Sequence, residues 1–184
     1  MVAGSHRTAM TVEEYLALDR ASPNMRYEYI DGVLTIRPGG TIDHSSICVN
    51  IASELRTALR GKPCKVFGSD LKVSISKMRY VYPDVSVSCD QRDLKEKGAI
   101  IHDPRVIFEA EERRQKFTYY RNCPSVQEYV LVSTDERAVD VYRRATEKLW
   151  TLHLFGPGDD VELKSIDVSI PIAAIYEDVN FEMY

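Results

Sequence analysis

Apolar and polar positions along this chain recur with two different periods, and the changes of period mark its elements. Thr11-Val-Glu-Glu14 has a capping-box pattern, and Tyr15, Leu16 and Leu18 follow it, which predicts a short amphipathic helix. Two β-rich runs, residues 26–30 and 33–36, flank Asp31-Gly32, a dipeptide suited to a tight hairpin turn. Pro38-Gly39-Gly40 then breaks the chain. Between residues 43 and 60 the apolar positions Ile47, Ile51, Leu55 and Leu59 recur every four residues, so a helix with one buried face is expected. Residues 64–67, 71–75 and 81–87 read as strands, and 91–98 as a charged loop or short helix. Val106-Ile-Phe-Glu109 is a short apolar run that suits a buried central strand. A helix is expected over 112–121, strands over 129–132 and 139–142 with a polar turn between them, further β structure over 149–155 and 161–163, and a closing helix over 172–179. No repeat or low-complexity block interrupts this order, which predicts a mixed α/β (α+β) fold with a mixed central sheet flanked by helices.

Composition narrows the picture without deciding it. With 184 residues, 44% of them apolar, the chain suits one domain over 1–184, its first ten residues expected to be flexible. A net charge of -4 argues against a protein coated by nucleic acid, because phosphate binding is driven by Lys and Arg. It leaves room for an enzyme that meets phosphate through a cleft and a cation. No apolar run approaches the roughly 20 residues of a membrane helix, and the first ten residues lack the apolar stretch of a signal peptide. The expectation is therefore no membrane partner and a cytoplasmic location. Cys48, Cys64, Cys89 and Cys123 show no CxxC pairing, which argues against zinc and suggests reduced thiols in or near the core.

Two acids stand out by position. Tyr82-Pro83-Asp84-Val85 puts a carboxylate at the start of an apolar strand, and Glu109 ends another. An acid against a buried strand is costly unless it is paired, hydrogen-bonded or metal-bound. Two such acids on neighbouring strands could share one Mg²⁺ or Mn²⁺, cations that favour oxygen donors. Lys116, seven residues after Glu109, could orient a water or offset charge on a phosphodiester. Spacing alone favours the plainer reading of Asp84 as a turn or cap residue.

A resemblance shifts that balance. Tyr27-Glu-Tyr-Ile-Asp-Gly32, His44, residues 66–73, Tyr82-Pro-Asp-Val85, Val106-Ile-Phe-Glu109, Arg113-Arg-Gln-Lys-Phe117 and Glu128-Tyr-Val-Leu-Val132 occur in that order. Together they resemble the Uma-two family of restriction-endonuclease-like proteins, within the PD-(D/E)xK nucleases. The resemblance implies a restriction-endonuclease-like core with an N-terminal helix and hairpin, a Mg²⁺- or Mn²⁺-dependent endonuclease acting on DNA, and a homodimer. It implies Asp84 and Glu109 as metal ligands, Glu28 as a carboxylate reaching the metal from the side, and Lys116 as the catalytic lysine. His44 and Ala110 enter as accessory positions, His44 touching the cleft or Glu28 and Ala110 through its backbone carbonyl. The chain departs from the family pattern where Glu109 runs directly into Ala110-Glu-Glu-Arg-Arg, because family members carry a longer loop there. Two readings stay open: a shortened loop, which would leave a degenerate, catalytically silent binding module, or a longer loop absent from this junction, which the match of both flanks favours.

Bland alternatives accompany each residue. Glu28 could be an exposed cross-strand partner for a basic residue, and His44 a cap contact. Asp70 and Lys72 read as an ordinary salt bridge, Arg56, Arg60, Lys62 and Lys65 as scattered surface charge, and Tyr119 and Tyr120 as half-buried core.

Overall fold

A computed structural model describes residues 10–37, 39–95, 98–110 and 116–181. Helix α1 (Val12–Ala21) opens with the expected capping box: the Thr11 hydroxyl accepts from the Glu14 amide, and the Glu14 carboxylate accepts from the Thr11 amide at 2.8 Å. Strands β1 (Tyr27–Ile30) and β2 (Val33–Ile36) form the hairpin. Asp31 and Gly32 both have positive φ, 51° and 91°, the pairing that a tight turn matched to strand twist requires. Helix α2 (Ile42–Ala58) buries Ile47, Ile51 and Leu55 at its predicted four-residue spacing, each worth about 2 kcal/mol of apolar transfer.

The expected strand over 81–87 divides in two. Strand β5 (Arg79–Val81) pairs with β4 (Lys72–Ser76) and β1, whereas β6 (Val85–Ser88) pairs with β3 (Lys65–Gly68) and with β8 (Pro104–Glu109). Pro83 lies between them and has no N–H for a ladder. The chain therefore crosses from one sheet to the other at Tyr82-Pro83-Asp84. The first sheet has the order β2-β1-β5-β4-β7, where β7 is Ile100–Ile101. The second has the order β11-β10-β9-β8-β6-β3, with β9 at Glu128–Val132, β10 at Val139–Arg144 and β11 at Trp150–Phe155. Both sheets are mixed, with β4/β7 and β8/β9 parallel and the other pairs antiparallel. β8 lies inside the larger sheet, as its apolar run suggests.

Alternation along the strands separates two faces of that sheet. Val85, Val87, Val106, Phe108, Val130 and Val132 join α2 in one core cluster, and Ile107, Tyr129 and Leu131 join a second cluster with Val73 and Val81 of the smaller sheet. A third cluster stacks Tyr15 of α1 on Tyr29, ring centroids 5.0 Å apart.

The β structure expected over 161–163 is β12 (Asp160–Leu163), which turns back on β13 (Val168–Pro171) as a separate hairpin. Other expectations need correction. The closing helix is a single turn, α5 (Ile172–Ile175), since the chain reaches a positive φ at Asp178. The charged segment over 91–98 follows its expectation of a loop or short helix, with α3 at Gln91–Lys95. Of the helix expected over 112–121, residues 112–115 lie outside the described residues, and the remainder forms α4 (Phe117–Tyr120). Lys72 is buried and pairs with Asp19 at 2.5 Å, not with Asp70.

The cysteine expectation fails for one pair. Cys64 and Cys89 are disulfide-bonded, while Cys48 and Cys123 are free. Both bonded residues sit one step beyond the Lys65↔Ser88 pair of β3 and β6, so the ladder itself sets them opposite each other. That pairing depends on register, which spacing along the sequence does not reveal.

Candidate active site

The same reasoning explains why two acids distant in sequence meet. β6 and β8 are antiparallel with Val85 opposite Phe108, so Asp84 and Glu109 lie opposite each other one step further along. Val85 and Phe108 point into the α2 cluster; Glu109, next in β8, points to the other face, where Tyr120 and Lys116 meet it, while Asp84, just before β6, lies where both that face and His44 of α2 reach it. Asp84 is 2% exposed and Glu109 1%. Glu28, in β1 of the facing sheet, is 8% exposed rather than the surface cross-strand partner of the bland reading.

One nitrogen lies near both acids. Arg37 Nη2 is 2.5 Å from Asp84 Oδ1 and 3.9 Å from Glu109 Oε2. Its amide donates to the Arg26 carbonyl at 2.9 Å, continuing the β1/β2 ladder by one residue and fixing the direction of the side chain. Sequence reasoning missed this residue, because an arginine beyond a strand end reads as surface. Among the described residues Arg37 Nη1 is buried with no hydrogen-bond partner.

Each acid has further donors. Asp84 Oδ2 accepts the Ala110 amide at 2.8 Å, and His44 Nε2 lies 3.0 Å from Oδ1. Ala110 thus meets the site through its N–H. His44 approaches Asp84 rather than Glu28, while its own amide donates to the capping Thr41 hydroxyl. Glu109 Oε1 accepts the Tyr120 hydroxyl at 2.7 Å, and Lys116 Nζ is 3.4 Å from both Glu109 oxygens and 3.2 Å from Glu28 Oε1. Lys116 and Tyr120 are four residues apart at the start and end of α4, so one short helix aims both at Glu109. Tyr120 is fully buried, and its hydroxyl role was hidden behind its reading as a packing residue. Glu28 also accepts the Tyr82 amide at 3.2 Å, which steadies the crossing that delivers Asp84.

The electrostatics of the two acids differ. Burial raises the Asp84 carboxyl, but the His44 hydrogen bond, the Arg37 charge and the Ala110 amide outweigh it and hold the group below its ordinary value. Burial pushes Glu109 up to about 7, with Asp84 adding to the rise and Lys116, Arg37 and Tyr120 opposing it. Burial alone would lower the Arg37 guanidinium, yet Glu109, Asp84 and Glu28 keep it raised.

A hard divalent cation suits this donor set. Three carboxylates converge on two cationic side chains, Arg37 and Lys116, which leaves an excess of negative charge at a buried point. The orphaned Arg37 Nη1 is a donor and suits an anionic oxygen. A cleft of about 380 Å³ opens beside Asp84, lined among others by Arg26, Arg37, His44, Cys48, Gly68 and Ser69. The basic cluster at the end of α2 contributes nothing here; Lys62 pairs with Asp167 at 3.4 Å. Residues 111–115, which adjoin the junction after Glu109, lie outside the described residues.

Comparison with known proteins agrees with this architecture. Residues 12–173 match the model of the Uma2 family, described as "Putative restriction endonuclease". Uncharacterized protein slr1290 of Synechocystis sp. is 34% identical over 179 residues, covering 94% of each chain. Uncharacterized protein sll1609 of the same organism is 24% identical over 169 residues, covering 86% of this chain and 95% of that one. In three dimensions the chain is similar to the crystal structure of a "putative nuclease belonging to DUF820" from Anabaena variabilis, with a TM-score of 0.75, 22% identity, and 91% of this chain and 97% of that chain covered. No helix among the described residues is long and apolar enough to cross a membrane. The chain belongs to the Uma2 family, and its mixed sheets flanked by helices carry the restriction-endonuclease-like fold.

Proposed function

We propose that this protein is a Mg²⁺- or Mn²⁺-dependent endonuclease that hydrolyses DNA phosphodiester bonds, acting as one domain and as a homodimer, in the compartment that holds the nucleic acid. The observation that carries the reading is the convergence of Asp84 and Glu109 from opposed strand ends on a single Arg37 nitrogen. In this reading Asp84 and Glu109 hold the cation and Glu28 assists from the facing sheet. A bound divalent cation supplies a more acidic water and offsets charge on the phosphodiester. Lys116, between Glu28 and Glu109, orients the attacking water and offsets negative charge as the water oxygen bonds to phosphorus and the bond to the leaving oxygen breaks. Arg37 Nη1 donates to a non-bridging phosphate oxygen, the partner it otherwise lacks among the described residues. His44 and the Ala110 amide hold Asp84 in its ionised form. A cytoplasmic location goes with this reading.

One observation favours a second reading, a nuclease-fold module that binds nucleic acid without cutting it. Arg37 already bridges the two acids, in the position that a permanent substitute for a cation would take. Plasmid nicking separates the two. The enzyme reading predicts nicked circles with Mg²⁺ or Mn²⁺, none with EDTA and none with Asp84→Ala. Intact plasmid under every metal condition, despite retained DNA binding, would establish the silent module.

A further inference from the structure

The cleft beside Asp84 is walled by a group of softer donors that the carboxylate chemistry does not use. His44 and Cys48 are one turn apart in α2 and project from the same face. His44 Nε2 lies 3.0 Å from Asp84 Oδ1, and Cys48 Sγ lies 3.9 Å from His44 Nε2. The imidazole nitrogen, the thiol sulfur and the carboxylate oxygen all lie within 4.8 Å of one another. Around a tetrahedral zinc ion with bonds near 2.0–2.3 Å, ligand atoms stand about 3.3–3.7 Å apart, so a closure of about an ångström, shared among the three side chains, would complete the set.

The surroundings support a built site. A Cβ on Gly40 would stand 2.3 Å from His44 Nδ1 and 2.8 Å from its Cγ, so the ring packs against backbone that only glycine leaves open. That contact fixes the imidazole with Nε2 toward Asp84. Asp84 Oδ1 offers two lone pairs; Arg37 occupies one direction and His44 the other. A cation between His44 and Asp84 would replace the hydrogen bond and leave the Arg37 contact in place. A fourth position faces the cleft, where Ser45 and Ser69 are also found. Absence of a CxxC pair argued against zinc in the sequence, but a helical His-x-x-x-Cys with a carboxylate from a distant strand gives the same mixture of donors.

We propose that His44 Nε2, Cys48 Sγ and Asp84 Oδ1 form a binding site for a thiophilic divalent cation of the zinc type. Sharing Asp84, such a cation competes with the hard cation of the carboxylate pair, and this consequence alone rests on the nuclease reading. Soft thiolate selects zinc or cobalt over magnesium, so the two sites respond to different metals.

Cobalt titration of the metal-free protein tests the proposal. The expected result is a saturable one-to-one rise of a thiolate-to-cobalt charge-transfer band in the near ultraviolet, reversed by Zn²⁺ and not by equimolar Mg²⁺. Cys48→Ser should abolish the band, and His44→Gln should weaken binding about tenfold or more. Cys123, the other free thiol, is buried in a different core cluster and cannot substitute. Because a variant could misfold, the parent protein carries a second arm: Zn²⁺ should protect Cys48 from alkylation mapped by mass spectrometry. No band with the parent, a band that persists in Cys48→Ser, or unprotected Cys48 would overturn the site. If the protein nicks DNA, Zn²⁺ should inhibit the parent and spare Cys48→Ser. A protein that never nicks sinks the nuclease reading and leaves the cobalt result to stand or fall by itself.

Discussion

Two glutamates on neighbouring strands of the same sheet, Glu109 on β8 and Glu128 on β9, are equally buried and held in different ways. Glu128 is saturated: Arg143 Nε at 2.8 Å, the amides of Lys164 and Ser165 at 3.1 and 3.0 Å, and the Ser165 hydroxyl at 2.5 Å. Those donors belong to β10 and to the β12–β13 turn, so Glu128 ties that hairpin to the sheet. Among the described residues Glu109 has one close donor, Tyr120, and three longer contacts to Lys116 and Arg37 at 3.4–3.9 Å. Burial therefore raises its carboxyl to about 7. A buried acid with all its lone pairs filled is a structural clamp; one left loosely held is a site that can exchange its partners for a ligand. The difference lies in the donors, because both acids sit on apolar strands and both are inaccessible.

The two glutamates should differ most in activity. Asp84→Ala should lower metal-dependent nicking by about a hundredfold or more, whereas Glu128→Gln should retain it at a temperature where the variant is folded. Stability should show the reverse. Glu128→Gln leaves Arg143 without its buried partner and should cost about 3 kcal/mol in denaturant unfolding; Glu109→Gln should stay within about 1 kcal/mol of the parent. Equal losses would mean that Glu109 is also a clamp. Lys116→Ala should reduce nicking about tenfold while Mn²⁺ binding, measured by calorimetry, persists.

The smallest effect is a pH slope in the metal-free protein. Glu109 titrates near 7 when folded and near its ordinary 4.5 when unfolded, so the native state keeps a proton that the unfolded chain has lost. Unfolding free energy should then fall as pH rises from about 4.5 to about 7 and level off above, by at most about 1.4 kcal/mol per pH unit. Asp84 acts in a separate window. Its folded value is depressed, so its contribution is present above the ordinary 3.8 and lost below it. Melting curves of parent and Glu109→Gln across pH 5–8 isolate the glutamate, and an unchanged slope in the variant would contradict the assignment.

The fold and the candidate site were legible in the sequence to different degrees. The Asp31-Gly32 turn, the Thr11–Glu14 cap and the four-residue spacing of α2 are local signals, and the structure follows them. Asp84 and Glu109 stood out because an acid beside an apolar run is anomalous. What the sequence could not give was register: the Asp84–Glu109 opposition and the Cys64–Cys89 bond both follow from ladders between strands distant in the chain. Arg37 and Tyr120 were missed for a related reason. Each looks ordinary where it stands, a strand-end arginine and a packing tyrosine, and becomes notable only beside the acid it meets. The division of 81–87 was signalled by Pro83, whose effect on a sheet ladder was there to be read.

In the proposed enzyme Asp84 and Glu109 together grip one divalent cation, with Arg37 giving way to admit it. Crystals soaked in Mn²⁺ and measured at the manganese absorption edge address it directly. The account predicts an anomalous peak within bonding distance of carboxylate oxygens from both residues and a displaced Arg37 guanidinium. Saturating Mn²⁺ with no peak between the two acids, and Arg37 still bridging them, would contradict it.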